Sequence, residues 1–534
     1  MPRPEALLLL DHLGALLDAR LWDAARPHVR RALELVQNAD QAARLLQLCL
    51  QVPAELRQEA AWAVLVAAAA ARANDPACCE AHLAGQPAGG EALWAWLAMG
   101  RGEAEEALAL SEQGLAGNFA GLAYRVRAWA LAQLGRPGWE EAAREAAQRN
   151  AGRQRGICLL NLGAFLSFAG REAEARAACA QAAPCFAHDP ELRATALYNV
   201  GTACLRLQDF TAAERAYREA MRWARKPGGV RMLPRAWSGL GHLYRVLHEW
   251  PRALHAYAAS QTKATAPDDI AQAWRGRAHT LRLTGRLDEA LTTLYEAFER
   301  LGQPERHALH ADLAALLVSL GDTLGAAAAC NRVPEDREEE RQRVQIVRAE
   351  LARRVGDGAQ AAALLDGLSP GALWTREEAR LLPELFALVG RAEPVPAPLQ
   401  LQLNADGPLR ATLNGRPLPL PATGPAASLL AFLVWHGGEV DVERSLEALT
   451  LPGASERARR QNLSRVVGQL RQLLGWPDAV QNAGGTLRLD LDVVWRPLIS
   501  PPPERADAFC AGLYDPWVSE WREERRDADI LIKT

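Results

Sequence analysis

Along residues 1–390, apolar side chains recur three and four positions apart while polar residues fill the remaining positions, the spacing of amphipathic helices. A longer period overlies this one. Leu197, Val200, Gly201 and Cys204 fall on one predicted helix and Ala213, Tyr217 and Ala220 on the next; Trp237, Leu240, Gly241 and Tyr244 are followed by Ala253 and Tyr257 in the same order. Upstream, Leu159, Leu162, Gly163 and Leu166 lead to Ala175, Cys179 and Ala182. Downstream, Trp274, Ala278 and Leu281 lead to Ala290, Leu294 and Ala297. The units are about 34–40 residues long, the length of a stacked helix pair. Small residues (Gly163, Gly201, Gly241, Ala253, Ala290) let paired helices approach. Large ones (Trp237, Tyr244, Trp274) fill the groove between successive pairs. Dipeptides such as Gly135-Arg136, Gly170-Arg171, Gln208-Asp209, Gly285-Arg286, Gly321-Asp322 and Gly356-Asp357 fall where the intervening turns belong.

These residues and spacings resemble the tetratricopeptide repeat. The resemblance implies an α-solenoid over 1–390 of eight to ten helix pairs, whose units stack against their neighbours. Two roles stay open for such an array. One is a groove for a peptide, partner or effector; the other is a spacer or dimerisation arm.

The pattern changes after the proline-rich stretch 391–398, which reads as a linker. Leu399 to Leu403 alternates with period two, and Leu409 to Leu420 reads as two short strands about an Asn414-Gly415 turn. Three helices are expected next: Ala426 to His436, Glu443 to Leu449, and Ser455 to Leu474, the last stopped by Gly475. Val480 to Leu491 reads as a hairpin with Gly484-Gly485 at its tip, and Asp507 to Asp527 as a final tryptophan-containing helix.

The third of these helices carries the candidate chemistry. Leu463, Val466, Val467, Leu470 and Leu474 share one face. The rest of the helix presents Arg457, Arg459, Arg460, Gln461, Ser464, Arg465 and Gln469 without an acid beyond Glu456. Arginine neutralises phosphates or reads guanine, and glutamine reads adenine, so this mixture suits a helix in the DNA major groove. The bland alternative is a solvated amphipathic helix.

Strands, three helices and a hairpin, with LNGRPLPL, SLLAFLVWHGGEV, NLSRVVGQLRQLLG and GGTLRL in that order, resemble the winged helix-turn-helix of OmpR/PhoB-type regulators and of the SARP-type activators. The resemblance covers about a hundred residues, 399–499. It implies double-stranded DNA as a partner, with Arg488 near the wing tip as a further contact. FCAGLYDPWVSEWREERRD, within 504–534, resembles the opening of the bacterial transcriptional activator domain that follows in the SARP-type family. Two positions depart from the family: Gln469 stands where an arginine is frequent, and Leu487 where the wing usually has an aromatic.

Charge and composition narrow the reading. The net charge of -3 excludes binding of nucleic acid by overall basicity and leaves only a local basic surface. The nine cysteines form no CxxC pair and suit free thiols in a reducing compartment. The N-terminal apolar run is broken by Asp11 and His12, against a signal peptide. No P-loop, HExxH or GxSxG is present, so no cofactor, metal or catalytic residue is expected. The sequence thus predicts a mainly α protein, a tetratricopeptide-like α-solenoid followed by a small α+β winged helix-turn-helix domain. The expected role is a cytoplasmic, homodimeric transcription regulator. RNA polymerase or another protein is a possible further partner, and no membrane is involved. The alternative is a non-catalytic interaction scaffold whose winged helix no longer binds DNA.

Overall fold

The computed structural model describes residues 5–85, 89–302, 306–334, 338–368, 372–394, 396–449, 455–499 and 503–533. The chain forms two compact units, residues 1–243 and 244–534. It is mainly helical. In the first unit, helices pair from Glu5–Asp18 with Trp22–Leu35 onward to Pro190–Arg206 with Phe210–Ala224; in the second, from Pro267–Leu283 with Leu287–Arg300 to Glu338–Arg354 with Gly358–Asp366.

One turn design recurs between the two helices of a pair. Gly170, Gln208, Gly285, Gly321 and Gly356 all adopt positive φ. The next residue's amide then reaches back five residues: Asp209 N to Cys204 O at 2.9 Å, Arg286 N to Leu281 O at 2.9 Å, Asp322 N to Leu317 O at 2.9 Å. This satisfies carbonyls that the helix end would otherwise leave unpaired. Where that next residue is aspartate, its carboxylate caps the following helix, as Asp209 does by accepting from Ala212 N at 3.1 Å.

Close packing explains the small residues. A Cβ on Gly201 would sit 2.7 Å from the Tyr217 ring, and one on Gly163 would sit 2.5 Å from Cys179 Sγ. Gly239, which the sequence period did not single out, faces the same Tyr217 ring, where a Cβ would lie 2.6 Å away. Tyr217 is therefore held between its own pair and the next. Gly276 serves Tyr257 likewise. Ala253, Ala290, Tyr244 and Trp274 are buried, Gly241 is buried and Trp237 half-buried.

The second unit also buries charge. Glu377 accepts from Arg245 Nε at 2.9 Å, and its other oxygen lies 3.0 Å from His279 Nε2. Arg282 forks onto Glu378 at 2.6 and 2.8 Å. Arg343 and Arg275 both donate to Asp312. Glu377 and Glu378 belong to the helix Leu373–Leu381, so these pairs fasten the last repeat helices to their predecessors. No hydrophobic periodicity reveals such a network, because its members occupy positions the pattern assigns to the core.

The C-terminal part of this unit is a small β-containing domain. Its strands are β1 (Leu399–Asn404), β2 (Arg410–Leu413), β3 (Arg416–Pro417), β4 (Glu439–Asp441), β5 (Val480–Ala483), β6 (Thr486–Leu489) and β7 (Val493–Ile499). Its helices are α1 (Pro425–Trp435), α2 (Val442–Leu449), α3 (Glu456–Leu474) and α4 (Pro516–Lys533). One sheet has the order β3-β2-β1-β7 and the other β4-β6-β5. Asn414 and Gly415 both take positive φ, at 47° and 77°, matching the turn that Asn-Gly favours in tight hairpins.

Two strands and one boundary differ from the sequence expectation. β4 has three residues, too short to display a period of two. β7 pairs in parallel with β1, Leu399 opposite Val493 and Leu401 opposite Trp495, a long-range pairing with no local signal. The expected helix from Asp507 begins only at Pro516. Residues Pro503–Ala508 form a 3-10 turn, Phe509 bridges to Asp406, and Cys510 and Gly512 take positive φ, which interrupts any helix. Residues 509–518 share one hydrophobic core with the two sheets and α1 to α3. Trp517 Nε1 donates to Ser428 Oγ on α1 at 3.0 Å, and Phe509 stacks on Trp521 with ring centroids 3.6 Å apart.

Candidate nucleic-acid interface

The helix α3 is positioned from both ends. Ser455 caps its start by accepting from Ala458 N at 3.3 Å, and Gly475 ends it in the left-handed region at φ 97°. Leu463, Val466, Val467, Leu470 and Leu474 are all buried, so the apolar face read from the spacing is the face that packs. Arg471 Nε donates to Val480 O at 2.8 Å and pins the β5–β6 hairpin beside the helix.

The residues singled out from the sequence fall mainly on the outward face. Arg457, Arg460, Gln461, Ser464, Arg465 and Gln469 are exposed, and Arg459 is half-buried. Arg465 Nη2 donates to Asn462 Oδ1 at 2.8 Å, a neutral partner, and among the described residues no carboxylate pairs with it. Arg460 is different. It pairs with Glu456 at 3.1 Å and with Glu443 of α2. The expectation of an acid-free surface is therefore corrected at its N-terminal edge, where a neighbouring helix brings a second carboxylate. Arg488 lies on β6 and forks onto Glu439 of β4 at 3.0 and 2.7 Å. Hydrogen bonding to Arg488 holds the Glu439 carboxyl below its usual range. Sequence reasoning missed Glu439 and Glu443 because neither lies in the helix or the hairpin; the only available signal was the acid-containing run between Gly438 and Leu449.

The domain rests on the repeat helices of the same unit by a different edge. Arg416 of β3 donates from Nη1 to Glu249 Oε1 at 2.9 Å. Gly475 lies against Arg252, where a Cβ would stand 2.8 Å from Nε. Gly475 is ten residues beyond Arg465, about 15 Å along the helix axis. The outward residues of α3 thus remain accessible while the domain is docked.

Among the described residues no group of three or more His, Cys, Asp or Glu side chains could hold a metal. The cysteines are free, and burial pushes the thiols of Cys49, Cys79, Cys179 and Cys510 up to about 12, far from a reactive thiolate. No described helix is long and apolar enough to cross a membrane.

A helical repeat array joined to a small β-containing domain is the class these features define. Residues 155–226 match the family model of the tetratricopeptide repeat, so repeats of this type are present in the chain. Among solved structures, the chain is similar to a tetratricopeptide repeat protein from Parabacteroides merdae, at 13% identity and TM-score 0.38 over 48% of this chain and 97% of that one. It is similar to the apo quorum sensor NprR from B. thuringiensis, at 12% identity and TM-score 0.38 over 57% and 94%. It is also similar to a Rap protein complexed with competence and sporulation factor, at 16% identity and TM-score 0.41 over 66% and 99%. No curated protein matches the chain.

Proposed function

We propose that the chain is a DNA-binding transcription regulator whose C-terminal domain is a winged helix of the SARP-like, OmpR/PhoB-related kind. The carrying observation is the outward face of α3: Arg457, Gln461, Ser464, Arg465 and Gln469 are exposed together, with the domain held to the repeats through Arg416 and Gly475 instead. In this reading α3 enters the major groove with its N-terminal half against the bases. The β5–β6 hairpin is the wing, and a pair of subunits occupies repeated half-sites. The repeats bind a protein partner, in the manner of stacked helical arrays. The protein acts in the cytoplasm and is not an enzyme. Mapping the genomic DNA fragments that co-purify with the full chain tests this; enrichment of a shared motif is expected, and recovery of random fragments only would defeat it.

A second reading is favoured by one observation. Arg460 and Arg488, two of the cations expected to meet DNA, are engaged by Glu443 and Glu439. If those pairs hold in solution, the domain is a protein-interaction module that has lost DNA affinity. A flat response of binding to salt separates this case from the first.

A further inference from the structure

The first unit contains a cavity of about 780 Å³ that the reading of the C-terminal domain does not use. That volume is within the range of small-molecule sites. Five helices, each separated from the next by at least one other, supply the walls: Leu33 from Trp22–Leu35, Arg72 from Ala60–Ala73, Trp96 from Glu91–Arg101, Arg125 from Ala120–Gln133, and Arg153 from Gly152–Phe168. Its charge is one-sided. Five arginines line it against a single described carboxylate, Glu34, which is exposed and pairs with Arg31 at 2.8 Å.

Two of the five carry carboxylate partners from outside the lining, Arg149 with Glu145 at 2.6 Å and Arg153 with Asp189, whereas Arg72 and Arg125 meet neutral acceptors. Arg153 Nε donates to Asp189 Oδ2 at 2.9 Å, while the other oxygen of Asp189 caps the next helix. Among the described residues, no ion pair joins Arg72 or Arg125 to a carboxylate. Arg72 Nε donates to the Leu33 carbonyl at 3.2 Å, and Arg125 Nη1 to Gln154 Oε1 at 3.3 Å, both neutral acceptors. Burial and mutual repulsion both disfavour these charges. Burial first, then the nearby charges of Arg125 and Arg153, bring Arg72 down to about 10, and burial lowers Arg125 as well. Guanidiniums crowded against neutral partners in a concave site are what an anion repays, because each offers a planar fork to phosphate or carboxylate. Trp96 and Phe119 add apolar surface beside them.

We propose that this cavity binds a small organic anion, its phosphate or carboxylate head held by Arg72, Arg125 and Arg153 and its apolar body lying on Trp96 and Phe119. The inference stands apart from DNA binding and is read without DNA. The test uses the full chain and 1-anilinonaphthalene-8-sulfonate, an aromatic sulfonate whose fluorescence rises on binding. One saturable site per chain is expected. The double change Arg72→Gln with Arg125→Gln should weaken it at least tenfold, and Arg218→Gln, on the exposed face of the helix Phe210–Ala224, should leave it unchanged. Octyl phosphate and decanoate, compared at constant ionic strength, then identify the head group by which displaces the dye better. Should the double variant misfold, the wild-type chain still decides: its melting temperature should rise with octyl phosphate or decanoate above that in sodium chloride of equal ionic strength. Unsaturable dye uptake, equal binding by a folded double variant, or no such rise with either anion overturns the proposal.

Discussion

Glu249 is fully buried and holds two guanidiniums at once, which makes it the most informative single position in the second unit. One oxygen accepts from Arg252, whose side chain is 4% exposed; the other accepts from Arg416 at 2.9 Å, whose side chain is 26% exposed. Arg252 also donates to Tyr244 Oη at 3.0 Å and lies over its ring at 3.9 Å, so it stays in place when its carboxylate is lost. Glu249→Gln therefore takes this carboxylate's charge from a buried cation, a change that costs about 3–5 kcal/mol. Arg416→Gln removes the charge-assisted bond to Glu249, but Glu249 keeps Arg252. With a quarter of Arg416 in solvent, the loss should be about 1–2 kcal/mol. The ordering is the test. Urea unfolding gives the stabilities, and hydrogen exchange on peptides spanning 244–260 and 410–420 locates the change. Glu249→Gln should deprotect both peptides; Arg416→Gln should deprotect mainly the second. Equal costs for the two variants, or unchanged exchange over 410–420, would refute the claim that this carboxylate ties the C-terminal domain to the repeats.

Other outcomes follow from the same contacts. In Gly276→Ala the new methyl would stand 2.1 Å from Tyr257 Cε1; the gain in helix propensity does not offset the clash, and a net loss of about 1–2 kcal/mol is expected by thermal denaturation. His248 is depressed from 6.5 to about 4 by burial and by Arg380, with Arg376 adding to the effect and Glu377 and Glu393 opposing it. The folded state keeps this ring neutral while the unfolded chain protonates it. Its contribution is thus present above about pH 6.5 and lost as pH falls toward 4. In His248→Asn, which suits the positive φ there, stability should fall less over that interval. For DNA binding, Arg465→Ala should weaken specific affinity by about 1–3 kcal/mol by fluorescence anisotropy. Arg488→Ala, already engaged by Glu439, should have a smaller effect.

Much of this was legible in the sequence because it is periodic or local. The repeat turns carry their own chemistry, a positive-φ residue followed in several of them by a capping aspartate, as at Gln208-Asp209. The buried face of α3 and the Asn414-Gly415 hairpin are equally local. What escaped was long-range. The parallel pairing of β7 with β1 and the Glu377 and Glu378 network join residues roughly ninety or more positions apart, and no period encodes them. The same reason hid the partners of Arg460 and Arg488: a helix can be read for the charges it displays, but not for those a neighbour brings. The arginine cavity was invisible for a related cause, since its walls come from helices about thirty residues apart in sequence.

The claim that α3 presents a DNA-binding face is tested most directly by the salt dependence of duplex binding. Affinity of the full chain for a mapped fragment would be measured by anisotropy between about 50 and 200 mM salt, alongside Arg457→Gln with Arg465→Gln. A linear loss of affinity with log salt is predicted, with a slope shallower by about two in the double variant. A wild-type affinity indifferent to salt, or a double variant with the wild-type slope, would contradict it.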